Sequence, residues 1–298
     1  MTPRSRMMAG GFALLVAMYG ATLSMNRPAR IHPFFESLPA GRPVVIAHRG
    51  GADLWPENTL IAFQGAVDLG APVLEMDVHQ TADGVPVVIH DETVDRTTNA
   101  TGRVIDFTLE QLRELDAAYR FSPHDGPGTF PLRGTGVTIP SLREVFEAFP
   151  DAHMIVEVKE EDTTVADDVL SLVVEFDRVD RTLLASFSHD ILVHFRTRNP
   201  DVATHASEPE ATRFLIAAWL FSAGMVSPKY EALLVPPSVG PLPVLTGRFL
   251  QAADNRRLFV AGWTINDLSR LRIFARRGIG GLITDRPDLA LQVAAELR

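Results

Sequence analysis

Four side chains between positions 48 and 90 could do chemistry together. His48 and His90 bracket Glu75 and Asp77, and each of the four closes a short apolar run. Carboxylates at i and i+2 on a strand point to one face. Set beside two imidazoles, they suit a hard divalent cation and acid–base catalysis on one substrate. Glu157, which follows another apolar run, is the third candidate ligand. An all-oxygen set favours Mg²⁺ or Ca²⁺ and also accommodates Mn²⁺. The histidines titrate near neutrality, so one ring can carry a proton while the other accepts one.

The chain between these groups supplies a local geometry. VLEMDV and PVVIH flank a turn containing Asp83-Gly84, a strong hairpin signal. A turn centred between Ala82 and Asp83 sets Glu75 opposite His90. His79 is assigned to the other strand face, with a structural or solvent-exposed place.

Short apolar runs recur along the rest of the chain. VVIAH, VLEMDV, PVVIH, MIVEV, TLLASF, VATHA, ALLV, LFVAGW and GLIT read as strands. Amphipathic stretches such as TLIAFQGAVDLG, SLREVFEAF and DLSRLRIFARRG lie between them. This alternation predicts parallel strands with helical crossovers. Nine runs are one more than an eight-stranded barrel needs, and PVVIH is the expected extra. His48, Glu75, Asp77, Glu157, Trp263 and Asp285 fall at strand C-terminal ends, which converge at the mouth of a TIM (β/α)8 barrel. The expected fold is α/β: such a barrel at 44–298, with an insertion at 92–140 after the second and third strands.

The motifs His48-Arg49-Gly50, Pro56-Glu57-Asn58-Thr59, Glu75-x-Asp77, Asp83-Gly84 and His90-Asp91 follow in order. Glu157-x-Lys159, Trp263-Thr264-x-Asn266 and Thr284-Asp285-x-Pro287 come later. From about Val44 to the C-terminus this set resembles the glycerophosphodiester phosphodiesterase family. The resemblance implies metal-dependent hydrolysis of a glycerol-type phosphodiester. One divalent cation would be held by Glu75, Asp77 and Glu157, with His48 and His90 as acid and base. It also implies that the insertion covers part of the mouth. IPSLREVFEAFP is similar to the membrane-tethered, lysophospholipase-D-like branch, which adds lysophospholipids to the expected substrates. A sphingomyelinase-D-like phospholipase on the same barrel and a non-catalytic lipid-binding barrel are the alternatives.

For a phosphate substrate, Arg49 and Lys159 are candidate clamps. A guanidinium holds two oxygens at once, and an ammonium supplies a point charge. Trp263 could pack against the glycerol or alcohol part. Asn58 is read as a helix cap or as a group orienting a ligand. Glu57 is read as a partner of that kind or as an ordinary acid of the helix's first turn. Asp285 either braces backbone or touches substrate.

Composition narrows the classes. The net charge of −9 over 298 residues argues against a nucleic-acid surface, which needs a basic footprint. With no cysteine, disulfides, zinc–thiolate sites and cysteine nucleophiles are excluded. Residues 7–25 carry no charge and approach the length that spans a bilayer. Residues 1–26 are therefore expected to be a membrane anchor or signal segment, and 27–43 a linker. The placing of arginines around the stretch leans towards a non-cytoplasmic catalytic domain at a membrane surface. The segment RFLIAAWLFSAGMV, residues 213–226, is expected to dip into a membrane or line an acyl channel.

Overall fold

A computed structural model describes residues 27–41 and 43–297. Its strands are β1 (Val44–Ala47), β2 (Val73–Gln80), β3 (Pro86–Val88), β4 (His153–Val158), β5 (Thr182–Ala185), β6 (Ala203–Thr204), β7 (Ala232–Val235), β8 (Ser238–Val239), β9 (Leu242–Pro243), β10 (Phe259–Gly262) and β11 (Gly281–Thr284). Eight of them, in the order β6-β5-β4-β2-β1-β11-β10-β7, form a parallel sheet curled into a barrel. The seam between β6 and β7 is narrow. It carries one parallel bridge, His205 with Ala232, and a bond from Glu231 N to Thr204 O at 3.0 Å. β3 is the ninth run, paired antiparallel with β2 outside the barrel, and β8–β9 is a small separate hairpin.

Strand alternation explains both the core and the site. Ile46, Val73, Ile155, Leu183, Ala203, Ala232, Ala261 and Ile283 pack together inside the barrel. Their strand neighbours Ala47, Leu74, Met76, Val156 and Leu184 pack outward against helices. One more step of two along each inward row reaches the mouth. There stand His48, Glu157, His205, Leu234, Trp263 and Asp285, with Glu75 and Asp77 two and four past Val73.

The helices form where the sequence marks their starts. Thr59 caps Leu60–Leu69 by accepting from Ala62 N, and Ser141 with Glu144 makes a capping box for Leu142–Ala148. Leu142, Val145 and Phe146 form the buried stripe of the latter.

The hairpin register differs by one residue from the expected one. Val78 pairs with Val88 and His79 with Val87, so Asp77 lies opposite Ile89. Gly84 N bonds back to Thr81 O while Gly84 adopts φ +79°, inserting an extra loop residue. The chain leaves the strand after Val88, and this departure carries His90 to the mouth.

Residues 27–38 are not a free linker. A short helix, Pro33–Glu36, sits beneath the barrel and buries Phe34 and Leu38 against its interior. Phe34 packs edge-on to His153, and Phe35 against Phe259. Both partners start strands, so this segment closes the foot opposite the mouth.

The insertion has its own small core, with Val94, Val104, Leu112, Ala118 and Ile139 packed on Val87 and Ile89. It therefore buttresses the loop bearing His90 from behind. Among the described residues, none of 92–140 lines the mouth cavity.

The segment at 213–226 belongs to the helix Glu208–Trp219 and the turn after it. That helix descends from the mouth end of β6 to the foot, so its end cannot line a channel into the site. No helix among the described residues is long and apolar enough to cross a membrane. Residues 1–26, the expected anchor, lie outside the described residues.

Candidate active site

The mouth holds an open cavity. His48, Arg49, Glu75, Asp77, His90, Glu157 and Lys159 form one side. Phe187 and Trp263 form the other, over an apolar floor that includes Ile155, Ala185 and Ile283.

Glu75, Asp77 and Glu157 each place a carboxylate oxygen within 4.8 Å of the others. β2 and β4 pair in register with Asp77 beside Glu157, and this fixes the cluster. Glu75 and Asp77 are buried, and Glu157 is partly so. Burial and then the charge of Asp77 push the Glu75 carboxyl up to about 7. Burial also raises Glu157, against the pull of Lys159. For Asp77 burial is outweighed by Lys159 and Arg49, and its carboxyl is held low.

The turn after β1 aims a backbone donor at this cluster. Arg49, Gly50 and Gly51 are all left-handed, at φ 52°, 83° and 104°. This directs Arg49 N to Glu75 Oε2 at 2.8 Å. A Cβ on Gly50 would lie 2.7 Å from Ala62 Cβ, so only glycine lets the next helix come this close. Asn58 Nδ2 donates to Asp77 Oδ2 at 2.9 Å, while Thr59 does the capping. Asn58 is thus an orienting group.

Both candidate clamps are engaged with carboxylates. Lys159 Nζ stands 2.8 Å from Asp77 Oδ1 and 2.6 Å from Glu157 Oε1. Arg49 donates through Nη1 to Glu57 Oε1 at 2.9 Å, with Nε 3.2 Å from Asp77 Oδ2.

Each histidine is held by a carboxylate through Nδ1, leaving Nε2 for substrate. His48 Nδ1 is 2.6 Å from Asp285 Oδ1, and Asn266 Nδ2 holds the other oxygen at 2.7 Å. Asp285 therefore orients His48. Burial presses the His48 pKa down, but Glu75 and Asp285 outweigh it and the value is raised. His90 Nδ1 is 2.6 Å from Asp91 Oδ1. Here burial wins over Asp77 and Asp91, and the pKa is lowered.

Several contributors carry no motif. Arg96, from the insertion, donates to Glu57 at 2.6 and 2.8 Å and to Asp91 at 2.7 Å. It ties Asp91, the carboxylate that holds His90, to Glu57, which holds Arg49. Phe187 meets Trp263 edge-on at 6.1 Å between centroids. His205 lines the cavity with a pKa pressed to about 4 by burial, so it is neutral. Strand parity, counted two residues past Ala185 and Ala203, would have located both. His79 shares the parity of Asp77, contrary to its assignment, and is buried. Its ring stands 2.8 Å from Glu160 Oε1 and 3.0 Å from the carbonyl of His90. It braces the loop that presents His90.

The model of the glycerophosphoryl diester phosphodiesterase family matches residues 48–289, which span the whole of this site. The chain belongs to that family. It is a phosphoric diester hydrolase. Its sequence is 31% identical over 259 residues to the glycerophosphodiester phosphodiesterase of Caldanaerobacter subterraneus subsp. tengcongensis, covering 85% of this chain and 98% of that one. The crystal structure of glycerophosphodiester phosphodiesterase from Agrobacterium tumefaciens superposes with a TM-score of 0.68 at 26% identity, covering 84% and 99%. A phosphodiesterase of Oleispira antarctica, solved with its product sn-glycerol-3-phosphate, shares the fold with a TM-score of 0.64 at 23% identity, covering 85% and 96%.

Proposed function

We propose that the chain hydrolyses glycerol-type phosphodiesters to an alcohol and a glycerol phosphate. One divalent cation would be held by Glu75, Asp77 and Glu157, with proton transfer by His48 and His90. The observation that carries this reading is the convergence of three carboxylates and two carboxylate-oriented imidazoles on one cavity.

The donor set fits such a cation. It is all oxygen, suited to Mg²⁺, Ca²⁺ or Mn²⁺. Crowding and burial have already driven one carboxyl up to about 7, a cost that a bound positive charge removes. When bound, the ion would polarise a phosphate oxygen and offset charge developing at phosphorus.

The chain's own groups do the rest. Diester cleavage needs one proton removed from the attacking oxygen and one given to the departing alcohol. The Nε2 atoms of His48 and His90 are the groups for these transfers, each ring fixed by its carboxylate. Arg49 and Lys159 lend positive charge beside the phosphate position. Phe187 and Trp263 offer the apolar wall for the glycerol or alcohol part.

The segment that suggested an acyl channel lies at the foot, so it gives lysophospholipids no advantage over water-soluble glycerophosphodiesters at this site. Anchoring through residues 1–26, with the barrel outside the cytoplasm, stays part of the reading on the strength of the sequence.

The test is a panel of glycerophosphocholine, glycerophosphoethanolamine and their lysophospholipid counterparts, each with and without EDTA. Turnover of the first two should vanish with chelator and return with Mg²⁺, Ca²⁺ or Mn²⁺. Hydrolysis that persists after exhaustive chelation would remove the cation from the scheme.

A further inference from the structure

We infer that the foot of the barrel rests on a lipid bilayer and that the catalytic mouth faces away from it. This builds on the reading of residues 7–25 as an anchor and adds which face of the enzyme meets the membrane.

The first observation is how soon the chain is fastened. Ala29 is buried, and its N donates to Arg256 O at 2.9 Å. The Arg256 guanidinium donates to Arg27 O and, at 2.6 Å, to Val226 O. The chain is thus tied to the foot from Arg27 onward. The uncharged stretch ends at Met25. Two extended residues reach at most about 7 Å. An anchor ending there holds the foot within side-chain reach of the bilayer surface and leaves no length for the barrel to turn over.

The second observation is what the foot presents at that point. Just before Val226, Ile216 is 47% exposed, Leu220 70%, Phe221 71% and Met225 45%. They cluster at the lower end of the helix Glu208–Trp219, whose twelve residues carry them about 18 Å down from the mouth at 1.5 Å each. Exposed cations flank them. Arg248 lies 3.8 Å over the Phe221 ring and donates to Trp219 O at 3.1 Å. Arg213, Lys229 and Arg257 are exposed nearby in the chain, on the same helix and on the foot loops before β7 and β10. Exposed apolar side chains with Arg248 stacked on them and further Lys and Arg close by in the chain are the composition of an interfacial membrane contact. A bilayer containing anionic lipid answers both halves of it.

The orientation bears on substrate. A mouth turned away from its own bilayer takes diesters from the aqueous phase. A lysophospholipid in the same leaflet would have to leave the membrane first.

The native chain has no cysteine, so single labelling sites are available. The full chain carrying Leu220→Cys or Phe187→Cys is labelled with a polarity-sensitive fluorophore. Each is reconstituted in phosphatidylcholine–phosphatidylglycerol vesicles containing nitroxide lipids. The label at 220 should shift to the blue and lose most of its emission to the nitroxides, while the label at 187 keeps both its wavelength and intensity. Quenching at 187, quenching at neither site, or failure of the chain to join the vesicles each overturns the inference. A blue shift at 220 without quenching also overturns it, because residues 7–25 would then be covering the patch. Glycerophosphocholine turnover by the sample labelled at 220, which lies far from the mouth, reports on the proposed chemistry separately, so either reading can fail without the other.

Discussion

His48 and Asp285 stand 237 residues apart in the chain and meet through Nδ1 and Oδ1 at 2.6 Å. β1 and β11 are neighbours in the barrel, with Ala47 beside Thr284, so the residue after each strand faces the other. The pair fixes the ring and raises its affinity for a proton. Asp285→Asn keeps the shape and removes the charge. We expect kcat to fall by about 10²-fold with KM nearly unchanged. The limb of the pH–rate profile that belongs to His48 should move to lower pH, because a carboxylate that raised its pKa is gone. A profile shifted upward, or not at all, would count against Asp285 as the orienting group.

A second carboxylate network runs from the insertion into the site. Arg96 bridges Glu57 and Asp91, and through them it reaches both Arg49 and His90. Its side chain is about half exposed, so the ion pairs themselves should contribute no more than about 1 kcal/mol to stability. The effect on positioning should be larger. Arg96→Ala is expected to lower kcat about tenfold at a nearly unchanged melting temperature. Arg96→Lys should recover little, because one ammonium cannot span two carboxylates as a fork does. Equal loss of activity and thermal stability would mean that Arg96 only holds the insertion in place.

Much of this arrangement was legible in the chain. Most barrel strands are short apolar runs, and at several a polar residue breaking the run marks the mouth end, as at Ala47–His48 and Val156–Glu157. Other features were not legible, for local reasons. The hairpin register depends on one left-handed glycine, Gly84, which a count of turn residues does not reveal. The Arg96–Glu57 contact joins positions 39 apart, with nothing in either segment to mark it. Residues 27–38 look like a linker because of their prolines, yet Phe34 and Leu38 are what close the barrel. Phe187 was recoverable from parity alone, since it stands two past Ala185 in TLLASF.

That parity gives Phe187 a role open to test. It is 63% exposed and meets Trp263 edge-on at the alcohol side of the cavity. Lys159 Nζ lies 5.8 Å from its ring centroid. Phe187→Ala should raise KM severalfold for diesters with a bulky alcohol and leave kcat nearly unchanged. The smallest glycerophosphodiesters should be least affected. A uniform fall in kcat across the series would instead place Phe187 in the chemistry.

Glu75 carries a thermodynamic signature of the proposed cation. Its carboxyl is raised from 4.5 to about 7 by burial and by Asp77. The metal-free folded state therefore binds a proton that the unfolded chain has already released between these two values. Stability conferred by that proton is complete below about pH 4.5 and is lost as pH rises through 7. Glu75→Gln removes the titration while keeping the shape. In chelator, the variant should melt several degrees above the parent at pH 8, with the gain gone by about pH 4. Added Mg²⁺ or Ca²⁺ should reverse the order at pH 8, because the parent gains a bound ion and the variant has lost a ligand. Its hydrolytic activity should be absent throughout. A parent melting temperature that ignores both the cation and the rise in pH would show that the three carboxylates do not act as one binding site.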